Sequence, residues 1–252
     1  MIDLSIAIVA YNDEEDVRDA VCSILEHTAK TISKKIYIID NSDRENRLRE
    51  LTEQEPEVVY LKTKENKGFG AGHNEVLGKL DSKYHAIVNP DILLVEDSFR
   101  KLLEFMEDST IGMAVPRIVD EDGSMQESYR KEPTVLDMVI RSTNLMKKRQ
   151  REHALADKDF SKAFQVPFAH GCFYLIRTEL FEKLGGFDER YFLYMEDADL
   201  CKQVNQCSRL VYCPDTKVIH KWDRGSKKRA DLKKIHIQSM ISYFKKWGWK
   251  LW

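Results

Sequence analysis

Polar, turn-forming residues follow four apolar segments in the first ninety positions, and their types suit the binding of an anionic ligand. Asn89-Pro90-Asp91 offers an amide and a carboxylate, whose oxygens are ligands for hard divalent cations. A second loop alternates glycines as G-x-G-x-G, which is neither the dinucleotide fingerprint nor a Walker A loop but lets backbone approach a ligand closely. The tendency of Asn, Asp and Gly to form turns explains any one of these loops, whereas the four loops together predict a nucleotide site. The other loops are Tyr11-Asn12-Asp13 and Asp40-Asn41-Ser42-Asp43, and the glycines are Gly68, Gly70 and Gly72.

A second group of acids, Glu196-Asp197-Ala198-Asp199, follows an aromatic segment marked by Gly185-Gly186. Acidic residues at the start of a helix ordinarily complement the helix dipole, and in isolation this explanation is sufficient. A carboxylate seated among Phe192, Tyr194 and Met195 is also partly desolvated, which suits it to accept a proton. The functional alternative is therefore a general base in this group.

Strand-sized apolar segments alternate with amphipathic segments through the first half of the chain. This alternation predicts a parallel sheet covered by helices, an architecture in which ligands bind outside the carboxyl ends of the strands. Because the polar loops follow predicted strands, we expect them to meet at one edge of the sheet. The predicted strands cover residues 4–10, 35–39, 58–61, 84–88 and 111–115, and the predicted helices cover residues 14–28, 71–80 and 98–106.

The second half of the chain is less regular and contains no linker that divides it cleanly. Its apolar runs predict strands over residues 164–168, 172–177, 210–213 and 217–220. A turn or short hairpin is expected around Asp122-Gly123. Helices are predicted over residues 134–151 and 179–184, from about 196, and from about 231 to the end.

The composition is that of an ordinary folded protein, with 252 residues, 42% hydrophobic and 33% charged. Eleven Gly and six Pro argue against a disordered or collagen-like chain. No segment approaches the roughly 18 consecutive apolar residues of a membrane span, and the N-terminus lacks signal-peptide features. The five cysteines form no C-x-x-C pair, so we expect reduced, mostly buried thiols and a cytoplasmic protein.

The formal charge of -2 hides an uneven distribution. From residue 217 onward the formal charge is +9, and the residues before it carry -11. Lysines in this tail alternate with Ile, Phe and Trp, a pattern suited to an amphipathic helix on an anionic membrane surface. A helix that packs its apolar face on its own domain, or on a second copy in a homodimer, is equally compatible. No nucleic-acid-binding module accompanies the tail, so no nucleic-acid partner is expected.

Seven blocks, in this order, resemble the family 2 glycosyltransferases with the GT-A fold, most closely the rhamnosyltransferase-like members. The blocks are VAYNDEEDV, IIDNSD, NKGFGAGHN, NPDI, HGCFYLIR, GGFDERYFLYMEDADLC and HKWDRGS. The resemblance implies an α/β GT-A nucleotide-binding fold, with a mainly parallel central sheet flanked by helices. It implies a glycosyltransferase domain over residues 1–226, with a nucleotide-sugar-binding half (1–115) and an acceptor-binding and catalytic half (116–226). Residues 227–252 form a basic amphipathic C-terminal helix or tail.

The resemblance also assigns roles to individual residues. Asp197, in the pair Glu196-Asp197, matches the general base, and Asp91 matches the last residue of the family's D-x-D metal motif. His220 matches a late histidine that joins the metal shell in related enzymes. The positions expected along the nucleotide and donor sugar are Tyr11, Asp40 (a hydrogen-bond acceptor for the pyrimidine), Asn66, Gly68, Gly70, Asn74 and Asn89.

Asn89 departs from the family pattern, because the D-x-D motif has an aspartate at this position. An amide binds metal through its oxygen or hydrogen-bonds the ribose, but it removes one negative charge from the site. We therefore expect modest metal affinity, with much of the coordination supplied by the donor diphosphate.

The resemblance implies an inverting, metal-dependent hexosyltransferase that uses Mg2+ or Mn2+. Its donor would be a nucleotide-diphosphate sugar, with dTDP-β-L-rhamnose favoured. Its acceptor would be a polyprenyl-diphosphate-linked glycan at the cytosolic membrane face, a precursor of bacterial surface polysaccharide. The alternatives are a UDP-sugar donor, or a catalytically weak relative that binds nucleotide-sugar or glycan in an assembly complex.

Overall fold

A nine-stranded mixed sheet forms the centre of the computed structural model, which describes residues 1–143, 146–221 and 230–252. The order of the strands along the sheet is β3-β2-β1-β4-β10-β6-β11-β5, and β8 also pairs with β11. The strands, in chain order, are β1 (Ile2–Ala10), β2 (Lys34–Asp40), β3 (Val58–Lys62), β4 (Ser82–Val88), β5 (Ile92–Leu93), β6 (Ile111–Val119), β7 (Tyr129–Arg130), β8 (Phe164–Gln165), β9 (Phe168–Ala169), β10 (Phe173–Arg177) and β11 (Arg209–His220).

The first four strands form the parallel half of the sheet. β1 lies between β2 and β4, β3 borders β2, and all three pairings are parallel. The last seven residues of β1 and the last five of β2 are buried, as expected for strands covered on both faces. The carboxyl ends of these strands therefore lie along one edge, which confirms the arrangement predicted from the alternation.

The second half of the chain makes the sheet mixed. β10 lies antiparallel between β4 and β6, while β11 runs parallel to β6 and antiparallel to β5 and β8. Residues 210–213 and 217–220, predicted as two strands, form the single strand β11 with a shifted register between Tyr212 and Lys217. β7 and β9 pair separately as a short ladder. An apolar run does not encode strand direction, so the sequence could not show where the antiparallel strands lie.

Nine α-helices cover the sheet within the described residues, and two of the predicted helices differ from the observed ones. The helix expected over 71–80 begins and ends earlier, at Phe69 and Asn74, and residues 75–79 form turns. The helix expected over 134–151 is divided, since Met146 is left-handed and residues 144–145 lie outside the described part. The helices are α1 (Glu14–His27), α2 (Leu51–Gln54), α3 (Phe69–Asn74), α4 (Ser98–Phe105), α5 (Val135–Thr143), α6 (Lys147–His153), α7 (Thr178–Leu184), α8 (Glu196–Cys207) and α9 (Ala230–Trp247).

The C-terminal helix α9 packs on the sheet domain. Tyr243 and Phe244 on its inner side are buried in the main hydrophobic core, and the backbone N–H of Val135 donates to the carbonyl of Lys250. This is the packing alternative considered for the tail. The proposed boundary at residues 226/227 and the basic run 227–229 lie outside the described residues.

All five cysteines are free thiols, and Cys172, Cys201 and Cys213 are buried, as expected. None of the helices in the described ranges is long and apolar enough to cross a bilayer.

Candidate active site

The loops that follow β1, β2 and β3 are hydrogen-bonded to one another at the carboxyl edge of the sheet. The backbone N–H of Asn12 donates to Oγ of Ser42 at 2.9 Å. The amide of Asn41 donates to the carbonyl of Gly68 at 3.3 Å and to Oδ1 of Asn66 at 3.4 Å. The structure thus brings together three of the four polar loops singled out in the sequence. Tyr11 lies at the rim with 49% of its surface exposed, which leaves its ring open to a ligand.

Asp40 at the end of β2 is a buried anion that organises its loop. Its carboxylate accepts hydrogen bonds from the backbone N–H of Ser42 at 2.8 Å, Tyr60 Oη at 2.6 Å and Asn46 Nδ2 at 3.0 Å, and Lys62 Nζ lies 3.2 Å away. Burial acts to raise the pKa of Asp40, but the hydrogen bonds from Ser42, Tyr60 and Asn46 outweigh it and lower the pKa to about 2. Asp40 therefore stays ionised, while its direct contact with a pyrimidine stays a prediction.

The glycine-rich segment makes its close approach to another part of the chain. Gly68 has φ +101°, and a Cβ there would lie 1.9 Å from the carbonyl oxygen of Phe192. A Cβ on Gly70 would lie 2.8 Å from Cβ of Phe187. The backbone N–H of Phe69 donates to the same carbonyl of Phe192 at 3.1 Å. These glycines are needed because α3 packs directly on the segment that precedes α8, and their contact with donor stays a prediction.

Two asparagines predicted to line the donor brace the same region. Oδ1 of Asn66 accepts from the backbone N–H of Gly68 at 2.9 Å and so shapes the glycine turn. Asn74 bonds to Phe187 through both ends of its amide, with Oδ1 accepting from the backbone N–H at 2.9 Å and Nδ2 donating to the carbonyl at 2.8 Å. Asn74 therefore ties α3 to a segment more than one hundred residues away.

Asn89, Asp91 and His220 meet where β4 and β11 end. Nε2 of His220 lies 3.3 Å from Oδ2 of Asp91, and both side chains are largely buried. The other carboxylate oxygen of Asp91 and Oδ1 of Asn89 are buried without a hydrogen-bond partner in the described part of the chain. Orphaned buried oxygens are costly unless a ligand satisfies them. Two such oxygens beside an imidazole fit a divalent cation, with Asp91, Asn89 and His220 as its ligands.

Gln126 fixes the orientation of His220. Its Nε2 donates to Oδ1 of Asp120 at 2.6 Å and to the carbonyl of His220 at 2.9 Å, so its Oε1 must be the atom that faces Nδ1 of His220 at 2.9 Å. Since an amide oxygen only accepts, Nδ1 carries the proton. In the neutral ring, Nε2 then presents its lone pair toward Asp91, the arrangement that a metal-binding histidine requires.

Glu196 and Asp197 begin α8 and have different environments. Glu196 is buried, its Oε2 has no partner within the described residues, and burial together with the charge of Asp197 raises its pKa well above the usual range. Burial therefore favours the protonated, neutral form of Glu196. Asp197 is only partly buried and accepts hydrogen bonds from the backbone N–H groups of Ala198 at 2.8 Å and Gly171 at 3.3 Å. Of the pair, Asp197 is the one placed to accept a proton.

Gly171 and Cys172 connect the metal-ligand candidates to the base candidate. Gly171 donates to Asp197, and the carbonyl of Cys172 accepts from the backbone N–H of Asn89 at 2.9 Å. Burial raises the pKa of the Cys172 thiol, and the charges of both Asp91 and Asp197 act in the same direction. The two acids therefore both lie near Cys172.

Sequence reasoning did not single out Asp13 or Gln126 as site residues. Burial raises the pKa of Asp13 to about 6, and the charges of Asp16 and Asp91 add to the effect, so Asp13 lies near Asp91. Its place in the loop after β1 was a signal for this role. Gln126 left no such signal, because its partner His220 is 94 residues away. No three His, Cys, Asp or Glu side chains gather as a metal site in the described ranges, so the protein alone offers few ligands.

Comparisons with known proteins concern the family and the fold of the chain. The family model described as Glycosyl transferase family 2 matches residues 5–185. The chain is 27% identical over 203 residues to the low-salt glycan biosynthesis hexosyltransferase Agl10 of Haloferax volcanii, covering 79% of this chain and 60% of that protein. It is 26% identical over 237 residues to N-acetylglucosaminyl-diphospho-decaprenol L-rhamnosyltransferase of Mycobacterium tuberculosis, covering 86% of this chain and 75% of that protein.

Among solved structures, the chain resembles GalNAc-T7 with UDP, GalNAc and Mn2+, with a TM-score of 0.69 and 19% identity over 89% of this chain and 44% of that one. This likeness shows the mixed α/β GT-A fold. The chain spans about 60% of the length of the Haloferax relative and less than half of GalNAc-T7. Because the family model matches well over half of its residues, the chain belongs to the family 2 glycosyltransferases.

Proposed function

We propose that this chain transfers L-rhamnose from dTDP-β-L-rhamnose to a hydroxyl of a lipid-linked cell-surface polysaccharide precursor, with inversion at the anomeric carbon. The observation that carries the proposal is the common site formed by Asp197 and the Asn89–Asp91 turn around Cys172. The name of the mycobacterial relative, an L-rhamnosyltransferase that acts on N-acetylglucosaminyl-diphospho-decaprenol, supports the rhamnosyl donor and the diphosphate-lipid acceptor. A UDP-sugar donor is the second candidate, favoured by the UDP in the GalNAc-T7 structure.

In the proposed reaction, Asp197 removes the proton from the acceptor hydroxyl as that oxygen attacks the anomeric carbon. The carbon–oxygen bond to the diphosphate breaks on the opposite face, and the nucleoside diphosphate leaves. Asp197 suits the role because it is partly exposed at the start of α8, whereas burial favours the protonated form of Glu196, which cannot take up a further proton. General-base assistance of this kind typically contributes about 10²–10⁴-fold to the rate.

Asp91, His220 and the amide oxygen of Asn89 would hold Mg2+ or Mn2+ in the proposed site. When bound, the cation neutralises charge on the leaving diphosphate. The chain's own part is to leave Oδ1 of Asn89 and Oδ1 of Asp91 without a protein partner, with Nε2 of His220 3.3 Å from the other carboxylate oxygen of Asp91. Full transfer activity in excess chelator would contradict the metal proposal, and Asp91→Ala should weaken both donor binding and the response to added Mn2+.

The test of the proposed function is a transfer assay with purified protein, Mn2+ and a synthetic N-acetylglucosaminyl-diphospho-polyprenol. We expect turnover with dTDP-β-L-rhamnose to exceed that with UDP- and GDP-sugars, and NMR of the product to show an α-linked sugar. A thermal-shift panel of dTDP, UDP and GDP serves as an independent measure of donor choice. Preferential turnover with UDP-sugars would favour the second candidate, and binding without turnover of any donor would favour a catalytically weak relative.

The outer side of α9 supports a further part of the proposal, contact with an anionic membrane surface. Ile237 and Ile241 are 56% and 39% exposed, and Trp252 beyond the helix is 76% exposed. Lys234 and Lys245 are exposed at either end of this stripe at helical spacing. Exposed Ile and Trp residues flanked by lysines fit an interface of anionic lipids, where each basic residue contributes about 1 kcal/mol.

Truncation is a poor test of membrane contact because Tyr243 and Phe244 are part of the core. The double variant Ile237→Ser/Ile241→Ser keeps those residues and removes only the exposed apolar stripe. We expect it to lose co-sedimentation with phosphatidylglycerol vesicles while the matched surface variant Val95→Ser retains it. Equal sedimentation of the double variant and the unsubstituted protein would reject the lipid contact.

A further inference from the structure

The turn that delivers Asp197 is strained. Tyr194 and Met195, directly before α8, both have left-handed backbones, with φ 69° and 71°. Non-glycine residues rarely adopt this conformation, and two in succession persist only where the surrounding structure holds them. The position of Asp197 therefore depends on what clamps this turn.

One side of the clamp is the glycine segment, and the other is the C-terminal helix. The carbonyl of Phe192 accepts from Phe69 in α3, as described above. The next carbonyl, that of Leu193, accepts from Oγ of Ser239 in α9 at 2.8 Å. The strained turn is thus held between the predicted nucleotide loop and α9.

α9 also contacts the first turn of α8 through a buried carboxylate. Asp199 is fully buried, and it accepts from Nε1 of Trp247 at 2.6 Å and from Nζ of Lys246 at 2.8 Å. Gln203 and Tyr191 donate to the same carboxylate at 2.7 and 3.3 Å. Two of its four donors therefore come from the last two residues of α9.

Lys246 also joins two segments of the site. Its Nζ lies 2.7 Å from Oδ2 of Asp188 as well as 2.8 Å from Oδ2 of Asp199. Asp188 precedes the strained turn and Asp199 follows it, so one ammonium group closes the segment that contains Asp197. Without this ammonium group Asp188 would keep its ion pair with Arg190 at 2.8 Å, but the fully buried Asp199 would lose the cation that bridges it to Asp188, and a buried charge without its partner drives local rearrangement.

We propose that Lys246 and Trp247 are positioning residues, which aim the carboxylate of Asp197 by anchoring Asp199 and closing the turn between residues 188 and 199. The proposal rests on the proposed function in that Asp197 is the base. It assigns α9 two faces: an outer stripe of exposed apolar residues and an inner face that belongs to the catalytic apparatus. A displacement of about 1 Å at a reacting group is enough to cost on the order of 10²-fold in rate.

The test compares Lys246→Met and Trp247→Phe with two matched controls on the same tail, Lys245→Met and Trp252→Phe, whose parent side chains are exposed. Trp247→Phe keeps an aromatic ring but removes the N–H donor together with part of the indole ring system. Turnover is measured in lipid-free buffer with a short soluble acceptor, so that contact with a membrane does not enter. We expect kcat to fall about tenfold or more in both variants, with KM for the donor and Kd for dTDP within twofold of wild type.

Two further measurements separate positioning from loss of stability. Lys246→Arg, which can serve both carboxylates, should restore kcat to within about threefold of wild type. Hydrogen exchange of residues 192–199 should rise in Lys246→Met and stay unchanged in Lys245→Met. If Lys246→Met and Trp247→Phe melted at a lower temperature but kept wild-type kcat at temperatures below melting, the proposal would be overturned. Only a structural role would then remain for these two residues. Wild-type turnover by Asp197→Asn would contradict both the assignment of the base and this proposal. If Asp197→Asn were inactive and Lys246→Met kept wild-type kcat, only this proposal would be overturned.

Discussion

Gly68→Ala tests whether the glycine segment and the turn before α8 must touch for the enzyme to work. The backbone of Gly68, with φ +101° and ψ -176°, lies in a region that only glycine occupies comfortably, and an alanine there costs about 1–3 kcal/mol. Its Cβ would also lie 1.9 Å from the carbonyl oxygen of Phe192, whereas real contacts stay beyond 3.0 Å, so the two segments must separate by at least 1.1 Å. A shift of this size near the base predicts a loss of about 10²-fold in kcat.

Gly78→Ala is the matched control. Gly78 also has a left-handed backbone, with φ +73°, but a Cβ there meets nothing within 4 Å. It should cost about 1 kcal/mol of folding free energy through backbone strain alone and leave kcat unchanged. The assay measures transfer kinetics and urea unfolding for both variants. Wild-type kcat in Gly68→Ala, or an equal loss of kcat in both variants, would refute the reasoning.

Three further predictions concern the metal ligands, the buried histidines and the loop after β2. Gln126→Leu removes the acceptor that orients His220, so the affinity of the protein for Mn2+ should fall about 10–100-fold. The affinity is measured by electron paramagnetic resonance of free Mn2+, and Gln54→Leu, at an exposed position, should not change it. Burial lowers the pKa of His85 to about 3, so its neutral form contributes stability that is complete above an unfolded pKa near 6.5 and is lost as the pH falls. Urea unfolding should therefore show wild type losing about 2 kcal/mol more than His85→Gln between pH 7.5 and pH 5, and equal losses would contradict this assignment. Tyr60→Phe removes a hydrogen bond to Asp40 and should cost about 1–2 kcal/mol of folding free energy, measured by urea unfolding, with Tyr37→Phe, whose hydroxyl bonds only a carbonyl, costing less.

The parallel half of the sheet was predictable because its signals are local. Continuous apolar runs followed by Asp or Asn predicted the bounds of β1, β2 and β4 to within two residues. The shared direction of parallel strands then predicted that the polar loops lie at one edge of the sheet. The start of α8 at Glu196 was likewise set by its acidic first turn.

The remaining features depend on contacts between distant residues. Asn74 and Gly68 looked like ligand-binding residues in sequence, and the structure shows that they hold the segment from 187 to 192. The direction of β10 was equally invisible. So was the difference between Lys246, which is mostly buried, and the exposed Lys245, because lysines one position apart carry the same sequence signal.

Replacement of the proposed base tests the account most directly. Asp197→Asn keeps the size of the side chain and one oxygen to accept a backbone hydrogen bond, and it removes the ability to take a proton. In the transfer assay with dTDP-β-L-rhamnose, we predict a fall of about 10²–10⁴-fold in kcat, with unchanged binding of dTDP by calorimetry and no effect of the exposed control Asp157→Asn. Wild-type turnover in Asp197→Asn would contradict the account.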